Sequence, residues 1–345
     1  MHIGAFALAN NLFAAPMAGV TDRPFRQLCR RLGAGYVVSE MVTSRPELRD
    51  SLKTSRRADH DGEAAPIAVQ IAGTDAPMMA DAARHNIDRG AQIIDINMGC
   101  PAKKVCNAWA GSALMRDEPL ALDIVDAVVA ACAPRGVPVT LKMRTGWCAD
   151  ERNAVRLARA AQDAGVVMIV VHGRTREQGF KGLAEYDTVA EVKAALRIPV
   201  VANGDIDSVA KARHALAYTG CDALMIGRAA QGRPWIFREI AHGLQHGSDL
   251  PAPATREVRG WLLEHLQDHY ALYGERVGVR SARKHIGWAV RALPGGEAFR
   301  AVMNTLDSYE AQVRAVATFF DELGERHQRL PVCAAANDSE LSVAA

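Results

Sequence analysis

The 345 residues are 49% apolar and 23% charged, which excludes an intrinsically disordered chain and leaves enough material for a sizeable core and two domains. A net charge of +2 excludes a globally basic nucleic-acid binder, so any affinity for RNA must come from a local patch. Met1 to Ala18 is apolar but has no basic leader and is interrupted by Asn10, Asn11 and Pro16, so no signal peptide or membrane helix is expected and the cytoplasm is the expected location.

In chain order, eight short apolar segments are expected as strands: Leu12 to Ala15, Tyr36 to Ser39, Ile67 to Ile71, Ile93 to Ile96, Val139 to Met143, Met168 to Val171, Pro199 to Ala202 and Ala223 to Ile226. Most are separated by helical periodicity or caps. Asp150 is expected to open a helix with Val155, Ala158 and Ala161 on one side and Gly165 closing it, and Asp207-Ser208 to open another that ends at Gly220. Strand and helix in strict alternation imply a parallel sheet, and eight such units suit an α/β TIM (β/α)8 barrel. An open doubly wound sheet would use the same alternation. Two features count against it: the first strand has no G-x-G-x-x-G, and polar residues recur at strand ends all along the chain. They are Met17, Glu40, Gln70, Asn97, Lys142 with Arg144, His172, Asn203 with Asp205, and Arg228. In a closed barrel these converge on one mouth.

Asn97-Met98-Gly99-Cys100-Pro101 follows a strand, and its glycine and proline favour a sharp turn that presents the Cys100 sulfur on a loop. A cysteine can equally be a small buried hydrophobe. The other cysteines, Cys29, Cys106, Cys132, Cys148, Cys221 and Cys333, lack the paired spacings of a metal site or a disulfide framework, which leaves reduced thiols. Lys142 and Arg144 are two residues apart, so both can face the barrel interior; an unpaired buried ammonium is costly, which argues for a function at Lys142, such as stabilising a reduced flavin. Gln70 suits the amide edge of such a ring, or is a plain strand-end polar residue. His172 reads as a base, a metal ligand or a hydrogen-bond donor, with positioning of a ligand favoured and metal least so. Asn203-Gly204-Asp205 and Gly227-Arg228 stand where the last two strands of such barrels often bind phosphate, although two routine turns would look the same.

After Gly243 the pattern changes. A linker containing Gly247, Ser248, Pro251 and Pro253 leads into three helical stripes: Val258, Leu262 and Leu266; Phe299, Val302, Met303 and Leu306; and Val313, Val316, Phe320 and Leu323. Three parts follow, a barrel over 1–243, a small all-α bundle over 244–330 and a flexible tail over 331–345. Arg276, Arg280, Arg283, Lys284 and Arg291 form a run without an acidic interruption, either a solvated face or a phosphate-contacting surface.

Six segments together resemble the tRNA-dihydrouridine synthases, and within them the bacterial B-type branch. They are Ala15-Pro16-Met17-Ala18-Gly19-Val20-Thr21-Asp22, Asn97-Met98-Gly99-Cys100-Pro101, Leu141-Lys142-Met143-Arg144-Thr145-Gly146-Trp147, His172-Gly173-Arg174-Thr175-Arg176, Asn203-Gly204-Asp205-Ile206 and Gly227-Arg228-Ala229-Ala230-Gln231-Gly232. The resemblance implies an FMN-dependent barrel that reduces the C5–C6 double bond of a tRNA uridine with NADPH as electron donor. It implies FMN binding by Pro16, Met17, Ala18, Gln70, Lys142, His172, Asn203, Gly204, Asp205, Gly227 and Arg228. Hydride would go from reduced FMN to C6 and a proton from Cys100 to C5, at a D-loop position such as 17. A uridine must leave the tRNA stack to react, and Asn97, Lys103, Lys104, Trp109 and Arg144 are candidate contacts, with Arg174 and Arg176 reaching substrate phosphates. The bundle, through Arg280, Arg283 and Lys284, would grip the tRNA body. Two rivals remain open on the residues alone: an FMN barrel acting on a small molecule such as dihydroorotate, and a non-enzymatic RNA-binding module. Neither a membrane nor a protein partner is implied.

Overall fold

The computed structural model describes residues 1–331, so Cys333 and the tail expected beyond Pro331 lie outside the described residues. By chain contacts the molecule divides into two compact units, meeting at Gly227 and Arg228 rather than at Gly243. The helix that follows Gly227 therefore groups with the C-terminal helices, although the linker composition changes only later.

The first unit begins with a hairpin, β1 (His2–Ile3) and β2 (Phe6–Ala7). Then come β3 (Leu12–Ala14), α1 (Arg23–Arg31), β4 (Tyr36–Val37), β5 (Val42–Thr43), α2 (Leu52–Ala58), β6 (Ala68–Ala72), α3 (Ala76–Asp88), β7 (Ile93–Met98), α4 (Lys103–Cys106), α5 (Glu118–Cys132), β8 (Val139–Arg144), α6 (Ala154–Asp163), β9 (Met168–His172), α7 (Asp187–Ala195), β10 (Val200–Asn203), α8 (Val209–Thr219) and β11 (Ala223–Ile226). All eight expected strands are present. The segment expected as strand two, Tyr36 to Ser39, is strand only over β4; a further short strand that was not expected, β5, follows it, and β4 and β5 form the two ends of one nine-stranded parallel sheet. Between β4 and β5 the Ser39 N–H donates to Ala68 O at 3.1 Å, so the same short segment joins both ends and curls the sheet into a barrel.

Side chains two apart along a strand share a face. Phe13, Tyr36, Ala68, Ile93, Met168, Val170, Val201, Ala223 and Met225 form the inner core, and Met1, Phe6 and Leu8 from the hairpin region pack against it. That parity carries the polar residues inward as well. Gln70 follows Ala68 on the inner face, Asp95 and Asn97 follow Ile93, His172 follows Val170, and Asn203 follows Val201. α8 is capped as expected, with Ser208 Oγ accepting from the Lys211 N–H and Gly220 in the left-handed region. α6 starts at Ala154 after Asn153 rather than at Asp150.

In the second unit are a single 3-10 turn at Arg228–Ala230, α9 (Ile236–His246), α10 (Thr255–Tyr273), α11 (Glu275–Val290), α12 (Gly296–Met303) and α13 (Tyr309–Arg326). Val258, Leu262, Leu266, Met303, Val316, Phe320 and Leu323 are buried as their spacing required, whereas Val302 is exposed. The buried polar residue of α13 is Gln312, which accepts from Tyr270 Oη at 2.8 Å and donates to Val279 O at 3.2 Å. No described helix is long and apolar enough to cross a membrane.

Candidate active site

Parallel register aligns the strand ends across the sheet. Gln70 pairs with Asp95, Asn97 with Lys142, Arg144 with His172, and His172 with Asn203. A polar ladder runs through this row. Thr140 Oγ1 donates to Asp95 Oδ1 at 2.6 Å, Gln70 Nε2 to Asp95 Oδ2 at 2.7 Å, and Asn97 Nδ2 to Gln70 Oε1 at 2.7 Å. The Asn97 oxygen then accepts from the Gly99 and Cys100 N–H groups at 3.2 and 3.0 Å. Asn97, a candidate for orienting the substrate or the flavin, also shapes the turn that carries the thiol.

Cys100 is held from its other side too. Its carbonyl accepts from the Ser112 N–H at 3.1 Å and the Ser112 hydroxyl at 2.9 Å. Gly111 makes this return possible: it has φ +64°, and a Cβ there would lie 2.9 Å from that same carbonyl oxygen. The thiol is half-buried. Burial pushes it above its ordinary pKa, against the Ala102 N–H and the Arg144 and Lys142 cations, which pull it down. A protonated, positioned thiol at neutral pH can act as an acid.

Lys142 Nζ donates to Asn203 Oδ1 at 3.0 Å, and Asn203 Nδ2 donates to Met225 O at 2.8 Å. Burial lowers the lysine to about 8, assisted by Arg144 and opposed by Asp95 and Cys100. Arg144 lies two residues further along β8. It is 1% exposed, and its guanidinium donates to the carbonyls of Gly99 (2.7 Å), Thr175 (2.9 Å) and Gly179 (2.8 Å), with Phe180 beneath it at 5.4 Å. It ties the loops together, and among these contacts none faces outward.

Arg174 is likewise turned inward. Its Nη2 binds both Asp205 carboxylate oxygens at 2.8 and 2.6 Å and Gly182 O at 2.6 Å, and its Nη1 lies 3.3 Å from His172 Nε2. Asp205, expected at the cofactor, also accepts from the Ala184 N–H at 2.7 Å. These bonds hold the Gly204 turn, where φ is +135° and a Cβ would meet Ala184 Cβ at 2.6 Å. Arg176 is partly exposed, its guanidinium 4.6 Å from the Trp147 ring centroid.

Lys103, Lys104 and Trp109 are exposed on the segment after Cys100, with Trp109 itself at φ +55°. Around Pro16, Met17 and Ala18 the chain turns tightly: Thr21 Oγ1 accepts from the Met17 N–H at 2.8 Å, and Asp22 caps α1. Gly227 lies beside this turn; a Cβ there would sit 3.6 Å from Ala15 Cβ and 3.7 Å from Met17 Sδ. Arg228 opens the second unit. There Arg280 is exposed, Lys284 partly so, and Arg283 bends towards Leu306 O and Asp307 at 3.1 and 3.2 Å. Sequence reasoning missed Asp95, Thr140 and Ser112. Asp95 had a signal, an acidic residue inside an otherwise apolar strand, but Ser112 is twelve residues from the thiol and had none.

The dihydrouridine synthase family model matches residues 13–323. The chain is 59% identical over 322 residues to tRNA-dihydrouridine synthase B of Pseudomonas aeruginosa, covering 93% of this chain and 96% of that one. It is 55% identical over 323 residues to the protein of the same name from Shewanella oneidensis, covering 94% and 99%. Among solved structures, morphinone reductase superposes with a TM-score of 0.52 at 14% identity over 75% of this chain and 92% of that one, and a 2-naphthoyl-CoA reductase with 0.57 at 12% over 92% and 69%. At that identity these two show the fold alone. With motifs, register and relatives in agreement, the chain belongs to the dihydrouridine synthase family and is, with it, a flavin-dependent oxidoreductase.

Proposed function

We propose that this protein reduces the C5–C6 double bond of uridine in tRNA, with FMN as its flavin and NADPH as the reductant. The observation that carries the reading is the placement of Cys100 on a doubly anchored loop beside the Gln70, Asn97 and Lys142 row. The residues fit a flavin: an amide, a cation and a second amide line one mouth, and the cation suits a ring edge that becomes electron-rich on reduction. Gln70, Lys142, His172 and Asn203 would hold the ring, with the Pro16 to Ala18 turn beside it and Gly204 and Gly227 near its phosphate. When bound, FMN would supply hydride to C6 of the uracil.

Cys100 then gives its proton to C5, and burial keeps that proton on sulfur at neutral pH. Asn97 and Ser112 fix the direction from which it is given. Exposed Lys103, Lys104 and Trp109 and partly exposed Arg176 receive the displaced base and its phosphates, Trp109 and the Arg176 plane replacing lost stacking. On the second unit, Arg280 and Lys284 contact tRNA phosphates. The relatives' B-type name favours a D-loop uridine such as position 17, in the cytoplasm where tRNA is processed.

The test is direct. Purified protein supplied with FMN and NADPH should form dihydrouridine in tRNA taken from cells lacking the modification. Flavin-loaded protein that leaves tRNA unchanged but turns over a free pyrimidine would replace this reading with a small-molecule one.

A further inference from the structure

Away from the barrel, α10 and α11 bring together three histidines whose candidate ligand nitrogens lie within 4.8 Å of one another: His265, His269 and His285. All three are almost fully buried, at 2%, 0% and 4% exposure. His265 and His269 are four residues apart on one helix face, the spacing at which two imidazoles can share an ion, and His285 approaches from the neighbouring helix.

We propose that this trio is a structural site for a zinc-class divalent cation that pins α10 to α11. Three observations carry it. First, the separation is right. Nitrogens with edges of that length sit no more than about 2.8 Å from a common centre, and Zn–N bonds of about 2.0–2.1 Å need each ring to move by less than an ångström. Second, one ring is already oriented. Ser281 Oγ donates to Val277 O at 2.8 Å, so its oxygen accepts from His269 Nε2 at 2.7 Å, which puts the proton on Nε2 and the lone pair on Nδ1. Third, the rings are mutual neighbours, with the His265 and His285 centroids 4.8 Å apart and the His269 and His285 centroids 5.3 Å apart. Three imidazoles leave one position for water.

The test uses full-length protein dialysed against a chelator, with Zn2+ or Co2+ added alone. One cation per chain should bind, Co2+ should give the intense visible bands of a tetrahedral site, and zinc should raise the thermal midpoint. His285→Gln and His265→Asn should each weaken binding at least about tenfold, while His242→Gln, a partly exposed control on α9, should leave it unchanged. Wild-type protein that binds no cation, that gives only octahedral Co2+ bands, or that binds equally well after His285→Gln overturns the proposal. The cobalt spectrum of the wild type decides even if a variant fails to fold.

Discussion

The side-chain oxygen of Asn97 accepts the backbone N–H of Cys100 at 3.0 Å, so the last polar residue of β7 dictates where the thiol points. The same amide donates to Gln70, which makes the cysteine turn the end of a chain anchored at buried Asp95. Asn97→Ala should therefore leave the thiol chemically intact but misdirected. Turnover of tRNA should fall about 10²-fold, the scale of a misplacement of about 1 Å, with little change in KM. Single-turnover kinetics on flavin-loaded variant separates the two, and an unchanged chemical rate would detach Asn97 from the positioning of Cys100.

Cys100→Ala should retain flavin and lose roughly 10²- to 10⁴-fold in uridine reduction, the usual worth of a general acid. Burial sets the direction of the pH profile. With the thiol raised above its ordinary value, wild-type activity should persist through neutral pH and decline only on the alkaline side, and this decline should vanish in the alanine variant. Measuring kcat against pH in both proteins checks it; parallel profiles would remove the thiol from the proton step.

Lys142 gives a prediction with a sign. Its folded-state value is about 8, against 10.5 for an ordinary lysine, so between those limits the unfolded chain holds a proton that the folded chain has lost. Stability rises with pH wherever the unfolded state binds more protons, so flavin-free wild type should gain relative to Lys142→Met as pH climbs from about 8 towards 10.5. Flavin affinity should move the opposite way, weakening as the ammonium deprotonates. Thermal midpoints across that range test the first claim and fluorescence titration of FMN the second. Superimposable pH dependences in the two proteins would show that the lysine is not the titrating group.

Much of this was legible because strands and their polar ends are local signals. His172 and Asn203 each close a run of apolar residues, Gln70 and Lys142 interrupt one near its end, and parallel pairing brings these positions to one side of a sheet whatever the intervening helices do. The direction of a long side chain is not local. Arg144 and Arg174 occupy motif positions, yet each bends onto carbonyls of loops many residues later, and only folding reveals those acceptors. β5 was hidden for a related reason: Val42–Thr43 is too short to stand out after the polar Ser39 and Glu40, and only its pairing with β6 makes it a strand. Likewise the histidine trio spans a helix turn and a second helix, so its members look like isolated residues in the chain.

The pair Arg174 and Asp205 separates scaffold from substrate contact within one motif. Arg174 is 2% exposed, and its removal would leave the Asp205 carboxylate without its cation and two loop carbonyls without a donor. Losing one member of a fully buried ion pair costs about 3–5 kcal/mol, and with Asp205 partly open to solvent the cost here is at the lower end or below it, still enough for Arg174→Ala to lower the thermal midpoint and release flavin by freeing the Gly204 turn. Arg174→Lys should not rescue it, because an ammonium cannot span carboxylate and carbonyls as a planar fork does. Removing both charges should restore part of the loss, since the stranded carboxylate disappears with its partner. Arg176, two residues on and resting on Trp147, should behave differently: Arg176→Ala should keep the midpoint within a degree or so and weaken tRNA binding instead, with a shallower salt dependence. Equal loss of stability in the two alanine variants would mean that both arginines serve the scaffold.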